Sequence, residues 1–193
     1  MTRIKICGIR RAEDAAVCDE LGADFLGFIF VNESPRFVKA EGAAQIETKA
    51  KRVGVFRDAP VEEIERVSRI ARLDVVQLHG SENEDFVSRI ELPVIKAFQI
   101  EQTGLSVLHL KTKAEWVMFD TGGGTGRVFD WTLLRGYEGK PFFLAGGITP
   151  ENVRDAMKTR PYAIDVASGV ERAPGVKDHV KVRELFRKVR LES

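Results

Sequence analysis

Two short segments near the end of the chain, Ala145-Gly146-Gly147-Ile148 and Ala167-Ser168-Gly169-Val170, each follow a run of apolar residues. A buried strand that ends in small residues exposes free backbone N–H groups, and such groups bind phosphate. Gly146, Gly147, Ser168 and Gly169 are therefore candidates for holding a phosphorylated small molecule. Other reactive side chains stand where apolar runs end: Cys7, Arg36, His79 and Asp120. On residue type alone, Cys7 reads either as a small buried apolar residue or as a reactive thiol. Asp120 is either an acid or a cap for the glycines that follow. No second His or Cys stands at ligand spacing from His79, so a structural role is expected there and no metal.

These residues need a scaffold. Strand-like runs at Ile4–Cys7, Phe25–Phe30, Arg52–Phe56, Val75–Leu78, Val94–Phe98, Trp116–Phe119, Phe142–Ala145 and Ala163–Ala167 are mostly continuous and apolar. Such runs suit parallel strands covered by helices. Helical patterns lie between them, at Ala12–Leu21, Val61–Ala71, Glu151–Lys158 and Lys181–Val189, with weaker ones at Gln102–Leu110 and Trp131–Leu134. Gly22 stands where a C-cap glycine would, and Thr149-Pro150 reads as an N-cap and first-turn pair. Eight strand–helix units close naturally into an α/β TIM (β/α)8 barrel, one domain over 1–193. In that fold the loops after strands seven and eight hold phosphate. With 193 residues against the roughly 250 usual for the fold, its loops must be minimal. A doubly wound sheet is the alternative, but its dinucleotide fingerprint is missing: Gly122-Gly123-Gly124-Thr125-Gly126 is followed by Arg127 and lies beyond the sixth strand.

Composition narrows the partners. Thirty basic and twenty-nine acidic residues nearly cancel without long charge blocks, which disfavours nucleic acid. No apolar stretch reaches the roughly 18 residues of a membrane span. Two cysteines, Cys7 and Cys18, and no signal-peptide core imply thiols in a reducing cytoplasm. Cys18 is expected to pack in the first helix and Asp130 to cap a helix. Gln77 is expected to face the barrel interior, Asp165 to need a buried partner, and His109 and His179 to lie on the surface.

Several motifs together are specific. Lys5-Ile6-Cys7-Gly8-Ile9, Ser34-Pro35-Arg36, Val75-Val76-Gln77-Leu78-His79-Gly80, Gly123-Gly124-Thr125-Gly126 with Phe129-Asp130-Trp131, Ala145 through Val153, and Asp165 through Glu171 run in order along the chain. In them the chain resembles the phosphoribosylanthranilate isomerase family. The resemblance implies a cofactor-free, metal-free Amadori rearrangement in tryptophan biosynthesis. Its substrate would be a phosphosugar, N-(5-phosphoribosyl)anthranilate, and the enzyme a monomer or homodimer. It implies that Cys7 is the base, that Asp120 is the acid, and that Arg36 clamps the anthranilate carboxylate. The expectations are a Cys7 either poised as thiolate or deprotonated in the bound substrate's environment, and an Asp120 carboxyl raised toward neutrality by partial burial with the anionic substrate nearby. The chain departs from the family pattern in having only Thr121 and Gly122 between Asp120 and the Gly-Gly-Thr-Gly segment, and Ala167 where a second serine is common. The competing readings are another phosphosugar barrel, such as an indole-glycerol-phosphate synthase or a pentose-phosphate epimerase, and a binding protein that has lost its chemistry. Lys5 is misplaced for the synthase, the epimerase's metal ligands are missing, and both Cys7 and Asp120 are present.

Overall fold

The computed structural model describes residues 2–100, 110–122 and 128–191. Eight parallel strands close into a barrel in sequence order: β1 (Arg3–Cys7), β2 (Phe25–Ile29), β3 (Lys51–Phe56), β4 (Val75–Leu78), β5 (Val94–Gln99), β6 (Trp116–Asp120), β7 (Phe142–Leu144) and β8 (Ala163–Val166). All eight expected strands form, with ends shifted by at most a residue. The ring closes where β1 pairs with β8, setting Lys5 opposite Asp165. Alternate residues point inward. Phe25, Val53, Val75, Ile95, Met118, Phe143 and Ala163 fill the barrel, while Ile4, Ile6, Leu26, Val76 and Leu144 belong to the larger core under the helices.

The outer layer is α1 (Ala12–Glu20), α2 (Ala40–Ala44), α3 (Val61–Ala71), α4 (Glu84–Val87), α5 (Val153–Met157) and α6 (His179–Arg190), with single 3-10 turns at Trp131–Leu134 and Ser168–Val170. In α3, Ile64, Val67 and Ala71 recur at helical spacing and are buried against the strands. Asp130 caps the 3-10 turn by accepting the Thr132 N–H, as expected, and Gly22 follows α1 at φ 75°. Cys18 is wholly buried. Arg52 on β3 donates with its buried guanidinium to the carbonyls of Ala43, Ile46 and Ala71, at and just past the C-terminal ends of α2 and α3.

Some expectations need correction. The helix expected over Glu151–Lys158 shrinks to Val153–Met157. Thr149 caps only the turn before it, accepting the Glu151 N–H, while Asn152 precedes the helix. The last helix is longer than its apolar stripe, because Asp178 accepts the Val180 and Lys181 N–H groups and starts it early. His179 is half-buried and bonded to Asp14 at 2.8 Å, so it is no mere surface residue. The short α2 and α4, and the hairpin β9 (Glu171–Ala173) with β10 (Val176–Lys177), lack a periodic signal and escape sequence reading. The expected helix over Gln102–Leu110 (except Leu110), His109, and Gly123 to Arg127 lie outside the described residues.

Candidate active site

The C-terminal ends of β7 and β8 form one concave corner. Gly146 and Gly147 hold φ at 87° and 63°, a conformation other residues rarely adopt. A side chain at Gly146 would also strike Asp120 and Thr121, and one at Gly169 would strike the Ile148 carbonyl. The two segments therefore touch backbone to backbone, and small residues are required at their contact. Asn152 pins the first: its Nδ2 donates to the Gly147 carbonyl at 2.9 Å and its Oδ1 accepts the Thr149 N–H at 2.8 Å. A cavity of about 60 Å³ opens here, lined among others by Gly146, Gly147, Ser168, Asp120 and Asp165. Its size and its glycine-turned backbone suit a small anion.

Cys7 ends β1 and is buried beside Gly27 of β2, where any side chain would overlap its sulfur. The missing side chain is what gives the thiol its place inside the barrel mouth. Fully buried Lys5 donates to Asp165 at 2.8 Å, and its ammonium acts on the Cys7 thiol two residues along β1. Asp165 thus has the partner that a carboxylate in an apolar strand demands. Burial works against the Lys5 charge, but Asp165 and then Cys7 outweigh it and raise its pKa. For Cys7 burial dominates and pushes the thiol up, against the pull of the Lys5 ammonium. Of the two expectations, the resting thiolate is corrected: the free site favours a thiol, which the substrate's environment would have to deprotonate.

Asp120 ends β6, and His79, just past β4, brings its Nε2 to 3.2 Å from Oδ2. Gln77 faces inward and sets its Nε2 3.1 Å from His79 Nδ1, so Nδ1 accepts and Nε2 carries the proton toward Asp120. Burial raises the Asp120 pKa, but His79 and the Thr121 and Gly122 amides together lower it below the ordinary carboxylate value. Burial acts in the expected direction but is outweighed in the free site, so the expected rise depends on the anionic substrate. His79 is bonded to the candidate acid, a contact no spacing rule reveals.

Arg36 follows β2 and runs its aliphatic stem over Gly8, whose φ of 79° and missing side chain leave room for it. Its guanidinium meets Glu171, with Nη2 2.8 Å from Oε2. His79, expected to be structural, meets the candidate acid, while Lys5, Asn152, Glu171 and Lys177 are the site residues sequence reading passed over. Only the charge of Lys5 and Glu171 inside apolar runs could have flagged any of them. Among the described residues no cluster of His, Cys, Asp and Glu could hold a metal ion, and no helix is long and apolar enough to cross a membrane. A larger cleft of about 460 Å³, lined by Ile64, Ser68, Leu73 and Ile90 among others, lies outside the barrel and carries none of these groups.

The family model for N-(5'phosphoribosyl)anthranilate (PRA) isomerase matches residues 4–188. The N-(5'-phosphoribosyl)anthranilate isomerase of Geobacter sulfurreducens is 42% identical over 201 residues, covering 98% of this chain and 99% of its own. The crystal structure of phosphoribosyl anthranilate isomerase from Thermus thermophilus superposes with a TM-score of 0.93 at 40% identity, covering 100% of both chains. A phosphoribosyl anthranilate isomerase solved in complex with reduced 1-(o-carboxyphenylamino)-1-deoxyribulose 5-phosphate gives 0.86 at 35% identity, over 98% of this chain and 99% of that one.

Proposed function

The chain belongs to the N-(5'-phosphoribosyl)anthranilate isomerase family, and we infer that Cys7 and Asp120 are the base and acid with which it isomerises its substrate. It is an aldose–ketose isomerase of tryptophan biosynthesis, acting on N-(5'-phosphoribosyl)anthranilate. In the reading proposed here, Asp120 gives its proton to the ring oxygen as the C1–O bond breaks and the anthranilate nitrogen forms a Schiff base with C1. Cys7 then takes the proton from C2, whose electrons move into the C1–C2 bond while those of the C=N bond return to nitrogen. The enolamine tautomerises to the ketone. No cofactor or metal takes part.

In the free site the proton sits on sulfur and the carboxylate is bare, the reverse of what the reaction uses. Both arrangements hold the same number of protons, so one transfer arms the pair. An anionic substrate next to Asp120 favours its neutral form, and the Lys5 ammonium favours the thiolate. The phosphate is assigned to the amides around Gly146, Gly147, Ser168 and Gly169, and the aromatic carboxylate to Arg36. Residues 1–193 are taken as one domain, active in the cytoplasm as a monomer or homodimer, with no nucleic-acid partner.

The observation that carries this reading is the meeting of Cys7, Asp120 and the two glycine segments at one end of the barrel, with Asp120 lining the same small cavity. Turnover of freshly made substrate by Cys7→Ser and Asp120→Asn tests it. Each loses about 10²–10⁴-fold in kcat with melting temperature preserved. Near-full turnover in either variant removes that residue from its role.

A further inference from the structure

Among the described residues, Arg36 has side-chain partners along one edge only. Its Nε lies 3.0 and 3.1 Å from the two Glu171 oxygens and its Nη2 2.8 Å from Oε2. A guanidinium carries five N–H donors, and this side-on grip uses Nε–H and one Nη2 proton. The Nη1 protons and the second Nη2 proton form another fork, which can take a carboxylate without releasing the first.

Glu171 is buried and further tied down. Its Oε1 also accepts the Gly175 N–H at 3.2 Å and the Lys177 ammonium at 2.9 Å. Burial alone would raise its pKa, yet Arg36 and Lys177 hold it low, so it stays a carboxylate. Lys177 is fully buried and donates twice more, to the Cys7 carbonyl and, at 3.2 Å, to that of Ala167. One ion pair therefore touches the strand end that bears the thiol, the start of the second glycine segment, and the guanidinium. Glu171 also follows directly on the Ser168–Val170 turn, so it cannot shift without moving that segment.

We propose that Glu171, held by Lys177, is the positioning residue that aims the free edge of Arg36 at the substrate's aromatic carboxylate and couples that grip to the phosphate segment. The proposal rests on the reading of Arg36 as the carboxylate ligand. Steady-state kinetics of Arg36→Ala, Glu171→Gln and the double variant, with inorganic phosphate as a competitive inhibitor, test both. Arg36→Ala raises KM and leaves phosphate inhibition unchanged. Glu171→Gln raises KM about tenfold, the worth of one strong charged hydrogen bond, with a much smaller change in kcat. It also weakens phosphate inhibition. The double variant exceeds Arg36→Ala in KM by no more than the factor by which Glu171→Gln weakens phosphate inhibition, because the carboxylate grip cannot be lost twice.

Should Glu171→Gln fold poorly, Glu171→Asp keeps the charge while withdrawing the carboxylate, and the same KM rise is expected. An elevated KM in Arg36→Ala beside a normal or lowered KM in Glu171→Gln overturns the proposal while sparing the carboxylate assignment. A double variant whose KM rises by the full product of the two single effects, or unaltered phosphate inhibition in Glu171→Gln, overturns it too. An unchanged KM in Arg36→Ala overturns the carboxylate assignment itself, and this inference with it.

Discussion

Replacing His79 by Phe should move the ionisation of Asp120 upward. The imidazole, just past β4, sets its Nε2 3.2 Å from Asp120 Oδ2 and holds the carboxyl's pKa down. A hydrogen bond to a charged group contributes about 1.5–3 kcal/mol. The His79 and Asp120 side chains are 20% and 11% exposed, so water screens the contact in part and the lower end applies. Phe fills a similar volume and donates nothing. Burial, the largest influence on Asp120, is then opposed only by the Thr121 and Gly122 amides. The sign follows: the wild-type carboxyl ionises below its ordinary 3.8, and the variant's ionises higher. The profile of kcat/KM from neutrality down to roughly pH 4 reads this, since its acid limb reports the free enzyme's ionisations. The acid limb of His79→Phe begins at a higher pH than that of wild type. An acid limb that does not move, in a variant with normal melting temperature, refutes either the donated hydrogen bond or the assignment of Asp120 as the acid.

Iodoacetamide labelling of Cys7 should keep accelerating through pH 9, because burial lifts this thiol above its ordinary 9.0; a plateau by neutral pH would mean a resting thiolate. Cys18, pushed up to about 12, should not compete. Asp14, Asp120 and Glu171 all have lowered folded pKa values, so the stability they supply is complete above their ordinary 3.8 and 4.5 and is lost as pH falls through the folded values. Urea midpoints that stay level from neutrality to about pH 5 and drop below it would agree with this linkage. Arg52→Met takes a charged donor from the Ala43, Ile46 and Ala71 carbonyls, of which Ala43 keeps the Ile46 N–H, and should lower unfolding free energy by about 2–4 kcal/mol, with denaturant midpoints as the measure. A change below about 0.5 kcal/mol would mean that water replaces the guanidinium.

The barrel is legible because its causes are local. A continuous apolar run such as Val75–Leu78 can satisfy itself only between a filled interior and a covering helix, and eight such runs separated by crossovers close on themselves. The glycine segments are legible for the same reason: a backbone turned to φ 87° at Gly146 needs glycine wherever the rest of the chain lies. The short α2 and α4 are not legible, since four- and five-residue helices carry too few apolar positions for a period to show.

Within the site, residue types came from the sequence and their electrical states from the fold. Cys7 and Asp120 could be singled out at strand ends, but the direction of each pKa depends on neighbours from other strands: Lys5 and Asp165 for one, His79 for the other. Arg36 and Glu171 stand 135 residues apart, and nothing local tells the guanidinium that a buried carboxylate waits for it. Periodicity and turn chemistry act over a few residues and are written in the chain. Burial, and the sign of the charge a few ångströms away, exist only after the first strand has paired with the last.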